Sequence, residues 1–524
     1  MNALFLTQST SLDMFYRLAG ALREPLALDK IGFYATSSMD YEGFLKQTPE
    51  IESGSYSLLK EWEIIEQASG KSPDLEYIKN RENEIGDPGL WSAIVADRWL
   101  YQGKNSSFRQ DYSRRYTHEE LLSILEQGIK SIERFFDEVK PDVVFSFICV
   151  TFGEYLAYLI AKRRGIPFLN LRPTRIKDYV ILGESIFEPS ELIKEAFERY
   201  ERGNGKASVA EEARRYLDFV TKGHAMYEGV IPPSAKAPAV VMSKKSIFTK
   251  ASKKLKNTKD SFQGRYKHDN QYPGSLGPLL YQGVLNPRRA KQVNAMLSPG
   301  YMTEDKLKNT EYVFYPLHKE PEVTLLVYSR AYLNQIEVVR NFAANIPVGM
   351  KLVVKEHPAS VGWRSQGFYK KLLEIPNVVM ADPSIVSKTL IKHSSLVAII
   401  AGSIGFEALL LKRPVVSLGN CPFNILPDTM IRKVESLEGL GLAIQELLEG
   451  YTYDEKAVLD YVAANMECGV QVSLYSKLLG KRGVYSLGGE GGVDADIERL
   501  AEYAVRRVRE LTSDSSAGAA QSYI

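Results

Sequence analysis

Apolar runs of strand length alternate with stretches of helical periodicity in the first part of the chain. The predicted strands are residues 3–7, 30–35, 142–147 and 168–171, and the predicted helices are residues 11–22 and 152–164. The last helix and strand are joined by Gly165-Ile166-Pro167, which is typical of a βαβ crossover. We therefore expect a parallel sheet here, with mostly helical, polar structure at 42–135 and two polar helices at 188–228.

The alternation returns in the second half with a stronger pattern. The predicted strands are residues 323–328, 351–355, 378–380, 396–400 and 414–418, and the predicted helices are near residues 333–344, 385–393 and 406–411. After about residue 450 the pattern becomes helical and ends in an amphipathic helix at 497–511. Two sets of alternating elements predict an α/β fold with two Rossmann-like domains that face each other across a cleft and carry helical insertions.

The chain has 524 residues, which is too many for one ordinary core. We place an N-terminal domain at 1–300, with a helical insertion at 42–135 and a basic insertion at 244–267. A C-terminal domain is expected at 301–450. C-terminal helices should occupy 451–512, and a disordered tail should follow at 513–524.

The composition is that of a globular protein, with 44% hydrophobic and 25% charged residues. No apolar run is long enough to span a membrane, and the N-terminus lacks the basic region of a signal peptide. Cys149, Cys421 and Cys468 have no metal-ligand spacing. These features favour a cytoplasmic location.

One segment departs from the overall balance of charge. Residues 244–267 hold nine Lys or Arg residues against the single acid Asp260, with Ile247, Phe248 and Leu255 among the interspersed apolar residues. Such a segment can lie on an anionic membrane surface, which would place the protein peripherally on the inner face of the plasma membrane. It can equally be a solvated insertion. Nucleic acid is not expected as a partner, because no nucleic-acid-binding motif accompanies the segment.

The predicted strand at 351–355 ends in residues suited to an anionic ligand. Lys355 and His357 can supply positive charge or hydrogen bonds, and Pro358 stiffens the chain after the histidine. A histidine beside a leaving phosphate can stabilise its charge or donate a proton to it. His357 is therefore a candidate catalytic residue, and Lys355 and Pro358 are candidates for donor binding. The structural alternative is a histidine at a strand end on the surface.

The predicted strand at 396–400 runs into a loop of small residues. Gly402, Ser403 and Gly405 precede a helix expected from Phe406, and backbone N–H groups at a helix N-terminus bind phosphate. Ser403 can donate to a phosphate oxygen or simply cap the helix beginning near Gly405. Glu407 can accept hydrogen bonds from a ribose or merely complement the helix dipole. All four are candidate donor-binding residues.

Further candidates follow other strands. His318 and Glu320 can face the cleft as a catalytic and a donor-binding residue, or lie in a linker turn shaped by Pro316 and Pro321. In the N-terminal half the candidates for acceptor contacts are Gln8, Ser9, Arg172 and Arg175, and the candidate for a catalytic carboxylate is Glu154. For each of the N-terminal residues a structural role is an equal alternative.

Three strings carry a family resemblance: FYPLHKEPE at 314–322, KLVVKEHP at 351–358, and AGSIGFEALLLKRPVVSLGN at 401–420. With Pro376-Asn377-Val378 between them, they resemble the capsule polysaccharide biosynthesis family. That family contains cytoplasmic glycosyltransferases of the two-Rossmann, or GT-B, architecture that are related to the capsule Kdo transferases. The resemblance covers roughly residues 310–425, and residues 142–175 match more weakly.

The resemblance implies transfer of a sugar from a nucleotide-sugar donor to a surface or capsular polysaccharide, or to its lipid-linked precursor. It implies that the C-terminal domain holds the donor and the N-terminal domain holds the acceptor. A CMP-activated acidic sugar such as Kdo or a nonulosonate is implied, with the nucleotide contacted by His357-Pro358 and Gly402-Ser403. The loop Ala401-Gly402-Ser403 keeps one hydroxyl where relatives often carry more, which leaves the nucleotide open.

No Asp-x-Asp motif in a suitable strand context is present, so no metal is expected, and no cofactor beyond the nucleotide-sugar substrate. Two other functions remain open. The first is another enzyme on the same fold, a nucleotide-sugar epimerase or a polyol-phosphate transferase. The second is a non-catalytic component of capsule assembly or export. A test of nucleotide binding separates the enzymes from the non-catalytic component.

Overall fold

The computed structural model describes the chain outside residues 10, 102, 104–113, 222–263, 273–276, 278–279, 481–491 and 522–524. Most of the basic run at 244–267 and of the glycine-rich stretch at 480–492 therefore lies outside the described residues. The described end of the basic run is attached to the N-terminal domain, because Arg265 pairs with Glu42 at 2.8 Å.

The N-terminal domain is built on a seven-stranded sheet in the order β13-β6-β5-β4-β1-β2-β3. The strands are β1 Ala3–Thr7, β2 Ile31–Ala35, β3 Ser57–Lys60, β4 Val143–Ser146, β5 Phe168–Pro173, β6 Tyr179–Gly183 and β13 Val470–Gln471. The first five are parallel, and β6 runs antiparallel to β5. The Phe5 ring on β1 lies 5.4 Å from the Phe33 ring and 5.0 Å from the Phe145 ring, so aromatic pairs fix the register at the centre of the sheet.

Helices cover both faces of this sheet. They are Ser11–Leu22, Ser38–Leu45, Glu61–Ala68, Leu75–Ile85, Trp91–Ala96, Arg98–Tyr101, His118–Val139, Phe152–Arg163, Glu191–Glu201 and Ala207–Phe219. Successive residues of β1 enter opposite cores, Leu4 and Leu6 on one face and Ala3 and Phe5 on the other. Burial on both faces explains why the strands are continuously apolar. The helical character expected for 42–135 is present, except that β3 adds an edge strand inside it.

The C-terminal domain is built on a six-stranded parallel sheet in the order β12-β11-β10-β7-β8-β9. The strands are β7 Tyr312–Pro316, β8 Lys351–Lys355, β9 Val378–Met380, β10 Leu396–Ile399, β11 Val415–Ser417 and β12 Ile431–Lys433. Connections run outward to one side from β7 to β9 and to the other side from β10 to β12. The topological switch point therefore lies between β7 and β10, and ligands of such sheets bind beyond the strand ends at that point.

The helices of this domain are Asn286–Leu297, Glu304–Lys308, Gln335–Asn345, Gln366–Leu373, Ser387–His393, Ser403–Leu410 and Leu440–Gly450. Val293 and Leu297 of the first helix pack in the same core as Val354 of β8. The C-terminal domain thus begins before the boundary expected at 301. The boundary was misplaced because helix Asn286–Leu297 precedes the first strand of the domain. The sequence alone does not show in which domain's core its apolar residues are buried.

The end of the chain returns to the N-terminal domain. Helix Glu455–Cys468 packs against helices Glu191–Glu201 and Ala207–Phe219, and β13 joins the N-terminal sheet beside β6. The last helix, Val493–Gln521, packs on helix Ser11–Leu22. The last helix is therefore part of the N-terminal domain, whereas helix Glu455–Cys468 also contacts the C-terminal domain, since the Tyr461 ring lies 5.3 Å from the Phe406 ring. The disordered tail expected from residue 513 is not what the structure shows, since the helix continues to Gln521.

The segment 323–328 was expected to be a strand and is instead a π-helical turn, Thr324–Tyr328. Leu325 lies in the C-terminal core, whereas Val327 lies in the N-terminal core. An apolar run buried on every side has no helical periodicity, which explains the wrong prediction. Just beyond it, the Arg330 guanidinium donates to the Tyr155 hydroxyl at 2.6 Å and ties the domains together.

Candidate functional site

A cavity of about 270 Å³ lies between the two domains. Its walls come from the carboxyl ends of strands in both sheets and from the helices that follow them. The residues that line it are Ile148, Arg172, Pro173, Thr174, Arg175, Glu188, Tyr216, Val220, Glu322, Val323, Thr324, Tyr328, Ala401, Gly402, Ser403, Phe406, Glu407, Leu410, Asn420, Pro422, Phe423 and Tyr461. The structure thus brings predicted donor residues and predicted acceptor residues to one place.

The floor on the C-terminal side is the loop between β10 and helix Ser403–Leu410. Gly402 is the N-cap of this helix and has φ +119°, a backbone conformation that a residue with a Cβ rarely adopts. The helix begins at Ser403, earlier than expected, so Ser403 is its first residue and not its cap. Gly402 and Ser403 line the cavity, so the start of this helix lies at the cavity edge, and backbone N–H groups at a helix N-terminus can bind an anion.

Gly405 has a packing role. A Cβ at this position would lie 2.6 Å from Cδ1 of Ile399 and 2.8 Å from the Phe423 ring. The residue is buried and does not line the cavity. The expectation that Gly405 contacts the donor is therefore replaced by a simpler reason for glycine, namely the close approach of the helix to β10.

Glu407 lines the cavity one turn into the same helix and is half-buried. Burial raises the pKa of its carboxyl, and the nearby Lys388 acts in the opposite direction. A carboxylate in this position can accept hydrogen bonds from sugar hydroxyls, so its placement fits the expected contact with a ribose.

His318 follows β7 and lies at the switch point of the sheet. Its Nε2 is 3.5 Å from the backbone N of Ala401, at the long end of hydrogen-bond distances. Its Nδ1 lies 3.6 Å from Oε2 of Glu322. Both neighbours line the cavity, so the imidazole lies beside the cavity edge.

A buried charge network holds the His318 loop. Arg364 is fully buried and pairs with the carboxylates of Glu356 and Glu320, and its guanidinium also donates to the His318 carbonyl. Gln335 adds two hydrogen bonds to the His318 backbone, of 2.7 and 3.1 Å. Glu320 is 3% exposed, so the donor contact expected for it does not fit this environment, whereas a positioning role does.

His357 and Lys355 lie at the end of β8, on the far side of β7 from β10. Two strand spacings separate β8 from β10, roughly 10 Å, and neither residue lines the cavity. His357 is exposed, but partial burial of its ring and then the charges of Lys355 and Lys319 lower its pKa. Burial likewise lowers the pKa of Lys355. Pro358 is exposed and opens a 3-10 turn, so it shapes the loop.

The N-terminal wall is built on Arg172, the residue in β5 before Pro173. Its side chain is 2% exposed, its Nε lies 3.1 Å from Oε1 of Glu188, and its Nη1 donates to the Ser185 carbonyl at 3.1 Å. The guanidinium packs against Gly183, where a Cβ would come within 2.8 Å of Nη2. Arg175 also lines the cavity, in a left-handed conformation with φ +67°.

Gln8, Ser9 and Glu154 do not line the cavity. Glu154 is 1% exposed and completes a capping box with Thr151, while Gln8 donates to its carboxylate at 2.7 and 3.0 Å. Burial raises the pKa of Glu154 to about 8. Ser9 is exposed with φ +42°. The catalytic role expected for Glu154 and the acceptor role expected for Gln8 are thus replaced by their joint cap on helix Phe152–Arg163.

Sequence reasoning missed Glu188 and the aromatic part of the lining. Tyr216, Tyr328, Phe406, Phe423 and Tyr461 surround the cavity and come from both halves of the chain. Among them only Phe406 was singled out from the sequence, as the expected start of a helix. No local sequence pattern marks Tyr216, Tyr328, Phe423 and Tyr461, because they lie far apart in the sequence and meet only in the folded protein.

Within the described part of the chain, no group of three or more His, Cys, Asp or Glu side chains could hold a metal ion. Over the same residues, no helix has the length and hydropathy needed to cross a bilayer. Metal independence remains a prediction.

Two Rossmann-like domains with a cavity between their strand ends define the GT-B architecture. Residues 271–433 match the family model described as capsule polysaccharide biosynthesis protein, which confirms the resemblance stated from the sequence. The matched segment contains the β7, β8 and β10 loops. No curated protein sequence matches the chain.

The solved structures that this chain matches share little sequence with it. UDP-GlcNAc 2-epimerase from Methanocaldococcus jannaschii is 14% identical, with 87% of this chain and 95% of that chain covered and a TM-score of 0.25. The KpsC β Kdo 2,7 transferase of Thermosulfurimonas dismutans is 12% identical, with 68% and 87% covered and a TM-score of 0.31. The β Kdo 2,4 transferase of the same KpsC is 11% identical, with 62% and 79% covered and a TM-score of 0.33. Likeness at this level assigns no activity.

Proposed function

We propose that the protein is a glycosyltransferase that moves a sugar from a nucleotide donor to a surface or capsular polysaccharide or its lipid-linked precursor. One observation carries the proposal. Gly402 and Ser403, at a helix N-terminus of the kind that binds phosphate, line the same cavity as Arg172 and Arg175 of the other domain. Transfer requires the donor and the acceptor to be held side by side. A cavity between the carboxyl ends of the strands of two sheets allows each domain to hold one of them.

The donor nucleotide is assigned to the C-terminal wall. Its phosphate would accept hydrogen bonds from the backbone N–H groups at the start of helix Ser403–Leu410 and from the Ser403 hydroxyl. The Glu407 carboxylate would bind ribose hydroxyls. His318, held by the Arg364 network, would approach the leaving phosphate, and His357 with Lys355 would add positive charge from the neighbouring strand end. These groups can offset the charge of the departing nucleotide without a metal.

The acceptor and the donor sugar are assigned to the N-terminal wall. Arg172 and Arg175 favour a ligand that carries a carboxylate or phosphate, which supports a CMP-activated acidic sugar or a lipid-linked, phosphate-bearing acceptor. A lipid-linked acceptor would require the enzyme to work at the inner membrane surface. The basic run at 244–267 supports that location through its sequence alone.

Binding of nucleotides is the first test. CMP, UDP and CDP are compared in a thermal-shift assay, because a ligand that binds only the native state raises its apparent stability by about 2.7 kcal/mol at a concentration of 100 Kd. One of the three should raise the melting temperature, and Ser403→Ala should weaken the effect. Ser395→Ala is the matched control, since Ser395 precedes β10 at the opposite end of the strand.

Turnover is the second test. Panels of CMP-activated acidic sugars and UDP-sugars are incubated with synthetic lipid-linked sugars, and products are identified by mass spectrometry, with and without a chelator. Transfer that survives chelation supports the proposal. Conversion of a nucleotide sugar to its epimer in the absence of acceptor would instead identify an epimerase. Absence of any nucleotide shift would favour a non-catalytic assembly component.

Membrane attachment is tested separately by sedimentation with vesicles containing anionic lipid. The wild type should cosediment at low salt and be released by salt, since each basic residue near the surface contributes about 1 kcal/mol. A variant with Lys250, Lys253, Lys254 and Lys256 changed to Gln should stay in the supernatant. Equal cosedimentation of the wild type and the variant would show that the segment does not attach the protein to the membrane.

A further inference from the structure

A second pocket lies beside the interdomain cavity, on the N-terminal domain. Its volume is about 290 Å³, close to the value of about 270 Å³ for the cavity. Its walls come from the turn between β5 and β6, from helix Ala207–Phe219 and from β13. The residues that line it are Lys177, Glu212, Arg215, Tyr216, Phe219 and Gln471. The proposed binding of donor and acceptor leaves this pocket unused.

Tyr216 connects the pocket with the cavity. It is 6% exposed and belongs to the lining of both spaces. Val220, one helical turn later, lines the cavity, whereas Glu212, one turn earlier, lines the pocket. The two spaces therefore share a wall at Tyr216, as the subsites for neighbouring residues of one oligosaccharide must.

The polar side chains of the pocket suit the hydroxyls of a sugar. Oε1 of Glu212 accepts hydrogen bonds from Nζ of Lys177 at 2.8 Å and from the Tyr179 hydroxyl at 3.3 Å. Within the described part of the chain, Oε2 of Glu212 and the side-chain amide of Gln471 have no hydrogen-bond partner. The Glu212 side chain is 34% exposed and Gln471 is half-buried, so both groups can be reached by a ligand. A carboxylate oxygen accepts hydrogen bonds from hydroxyls, and an amide can both donate and accept.

The charges around the pocket are balanced. The hydrogen bond from Lys177 lowers the pKa of the Glu212 carboxyl, so the two form an ion pair at neutral pH. Arg215 lies 3.0 Å from the exposed carboxylate of Glu211. A ligand of this pocket therefore needs hydrogen-bonding groups more than a net charge.

Phe219 adds an aromatic face to these polar groups. It is the last residue of helix Ala207–Phe219 and is 46% exposed, although most large apolar side chains of the domain are buried. An exposed aromatic ring within a polar pocket is typical of a binding site. The C–H groups of a sugar ring can pack on such a face while its hydroxyls bind the polar side chains around it.

We propose that this pocket is a second sugar-binding subsite, which holds the acceptor residue next to the one that receives the transferred sugar. The inference rests on the proposed function and defines the acceptor more closely, as an oligosaccharide whose second residue is uncharged. That residue packs on Phe219 and binds Glu212 and Gln471, and the terminal residue lies beyond Tyr216 in the cavity. Binding energy from a residue remote from the reacting atoms can be used to position the reacting group.

Sugar binding is tested first, on an array of bacterial surface mono-, di- and trisaccharides, with and without nucleotide. At least one oligosaccharide should bind more tightly than its terminal monosaccharide. Phe219→Ala and Gln471→Ala should each weaken that binding by up to roughly tenfold, as expected for one aromatic contact or one hydrogen bond. Arg214→Ala is the matched control, because Arg214 is exposed on the same helix and lines neither space.

Transfer is then measured to the oligosaccharide that binds and to its terminal monosaccharide, each linked to the same lipid. In the wild type, kcat/KM should be higher for the oligosaccharide by roughly tenfold or more. Phe219→Ala should lower the ratio of the two kcat/KM values by up to roughly tenfold, whereas Arg214→Ala should keep the wild-type ratio. A residue that merely supports the fold would lower both kcat/KM values equally.

Several results would overturn the inference. Transfer by the wild type without any gain from a second sugar residue would reject the subsite and leave the proposed function intact. An equal fall in kcat/KM for both acceptors in Phe219→Ala would do the same, as would equal array binding by Phe219→Ala, Gln471→Ala and Arg214→Ala. Phe219-dependent array binding by a protein that neither binds nucleotide nor transfers sugar would reject the proposed function and support the pocket as a sugar site alone. Absence of array binding, nucleotide binding and transfer would reject both.

Discussion

His318 lies directly against Gly402: a Cβ added to Gly402 would lie 3.4 Å from Cε1 of the imidazole. The two residues follow β7 and β10, the adjacent strands on either side of the switch point. The position of the ring and the conformation of the phosphate-binding loop are therefore set together. A substitution at either residue should therefore shift the position of the other.

Gly402→Ala tests this relationship. With φ at +119°, the loop should lose about 1–3 kcal/mol of stability on acquiring a Cβ, or shift away from His318. Either response moves the backbone N–H groups, so nucleotide affinity should fall by at least tenfold. The measurements are denaturant unfolding and nucleotide titration.

Gly20→Ala is the control for that variant. Gly20 lies in helix Ser11–Leu22, and a Cβ added there would have no neighbour within 4 Å in the described part of the chain. The substitution should be neutral or stabilising by roughly 0.5–1 kcal/mol. Wild-type nucleotide binding by Gly402→Ala would show that the loop conformation is not used.

Arg364→Ala should destabilise the protein strongly. The guanidinium is fully buried between Glu320 and Glu356, and its removal leaves two buried carboxylates without their partner. Loss of one member of such a network costs about 3–5 kcal/mol. Arg340→Ala, which removes an exposed pair with Glu337, should change the free energy of unfolding by less than about 0.5 kcal/mol. Similar denaturant midpoints for the two variants would contradict this.

His357→Ala should leave the fold intact, because the ring is exposed. If His357 acts on the leaving phosphate as proposed, the substitution should reduce transfer by roughly 10²-fold. His393→Ala, another exposed histidine at the end of a helix in the same domain, is the control. The two are compared in kcat and in thermal unfolding. Equal kcat values for the two variants would show that His357 takes no part in catalysis.

The pKa of Glu154 should make stability depend on pH. Its carboxyl has a pKa of about 8 in the folded protein against 4.5 without perturbation, so between these values the folded state binds more protons than the unfolded state. Stability should then fall as pH rises from about 5 to 8, by roughly 3–5 kcal/mol for this group. Burial raises the pKa of Glu61 and Asp97 as well, in the same direction.

Glu154→Gln should flatten part of that slope, because the amide does not titrate. The free energy of unfolding is measured by denaturant titration at several pH values for both proteins. Parallel pH profiles for the wild type and Glu154→Gln would show that Glu154 does not titrate in this range.

Much of the fold was accessible from the sequence because its central strands are buried on both faces. β1, β4, β8 and β10 each contain an apolar run of three or four residues, and each was predicted within one or two residues. The strands β3, β6, β7, β12 and β13 were missed, and β7 is a central strand of the C-terminal sheet. β3 is only half-buried along its length, and short strands of that kind carry no clear periodicity.

The site was predictable only where one strand and its loop supply the chemistry. Gly402, Ser403 and Glu407 were found because they share a strand–loop–helix unit. Glu188 and Tyr461 were not found. Glu188 lies in the loop after the missed strand β6, and Tyr461 lies on helix Glu455–Cys468, far along the chain from the other cavity residues. Arg364 was missed because a buried arginine resembles a surface one until its two carboxylates are placed around it.

The most direct test of the proposed donor site is a crystal structure of the protein with whichever of CMP, UDP or CDP gives the largest thermal shift. We expect the nucleotide to occupy the interdomain cavity, with a phosphate oxygen within hydrogen-bond distance of the Ser403 N–H and its ribose beside Glu407. A nucleotide bound elsewhere, or with its phosphate away from the start of helix Ser403–Leu410, would contradict the proposed site.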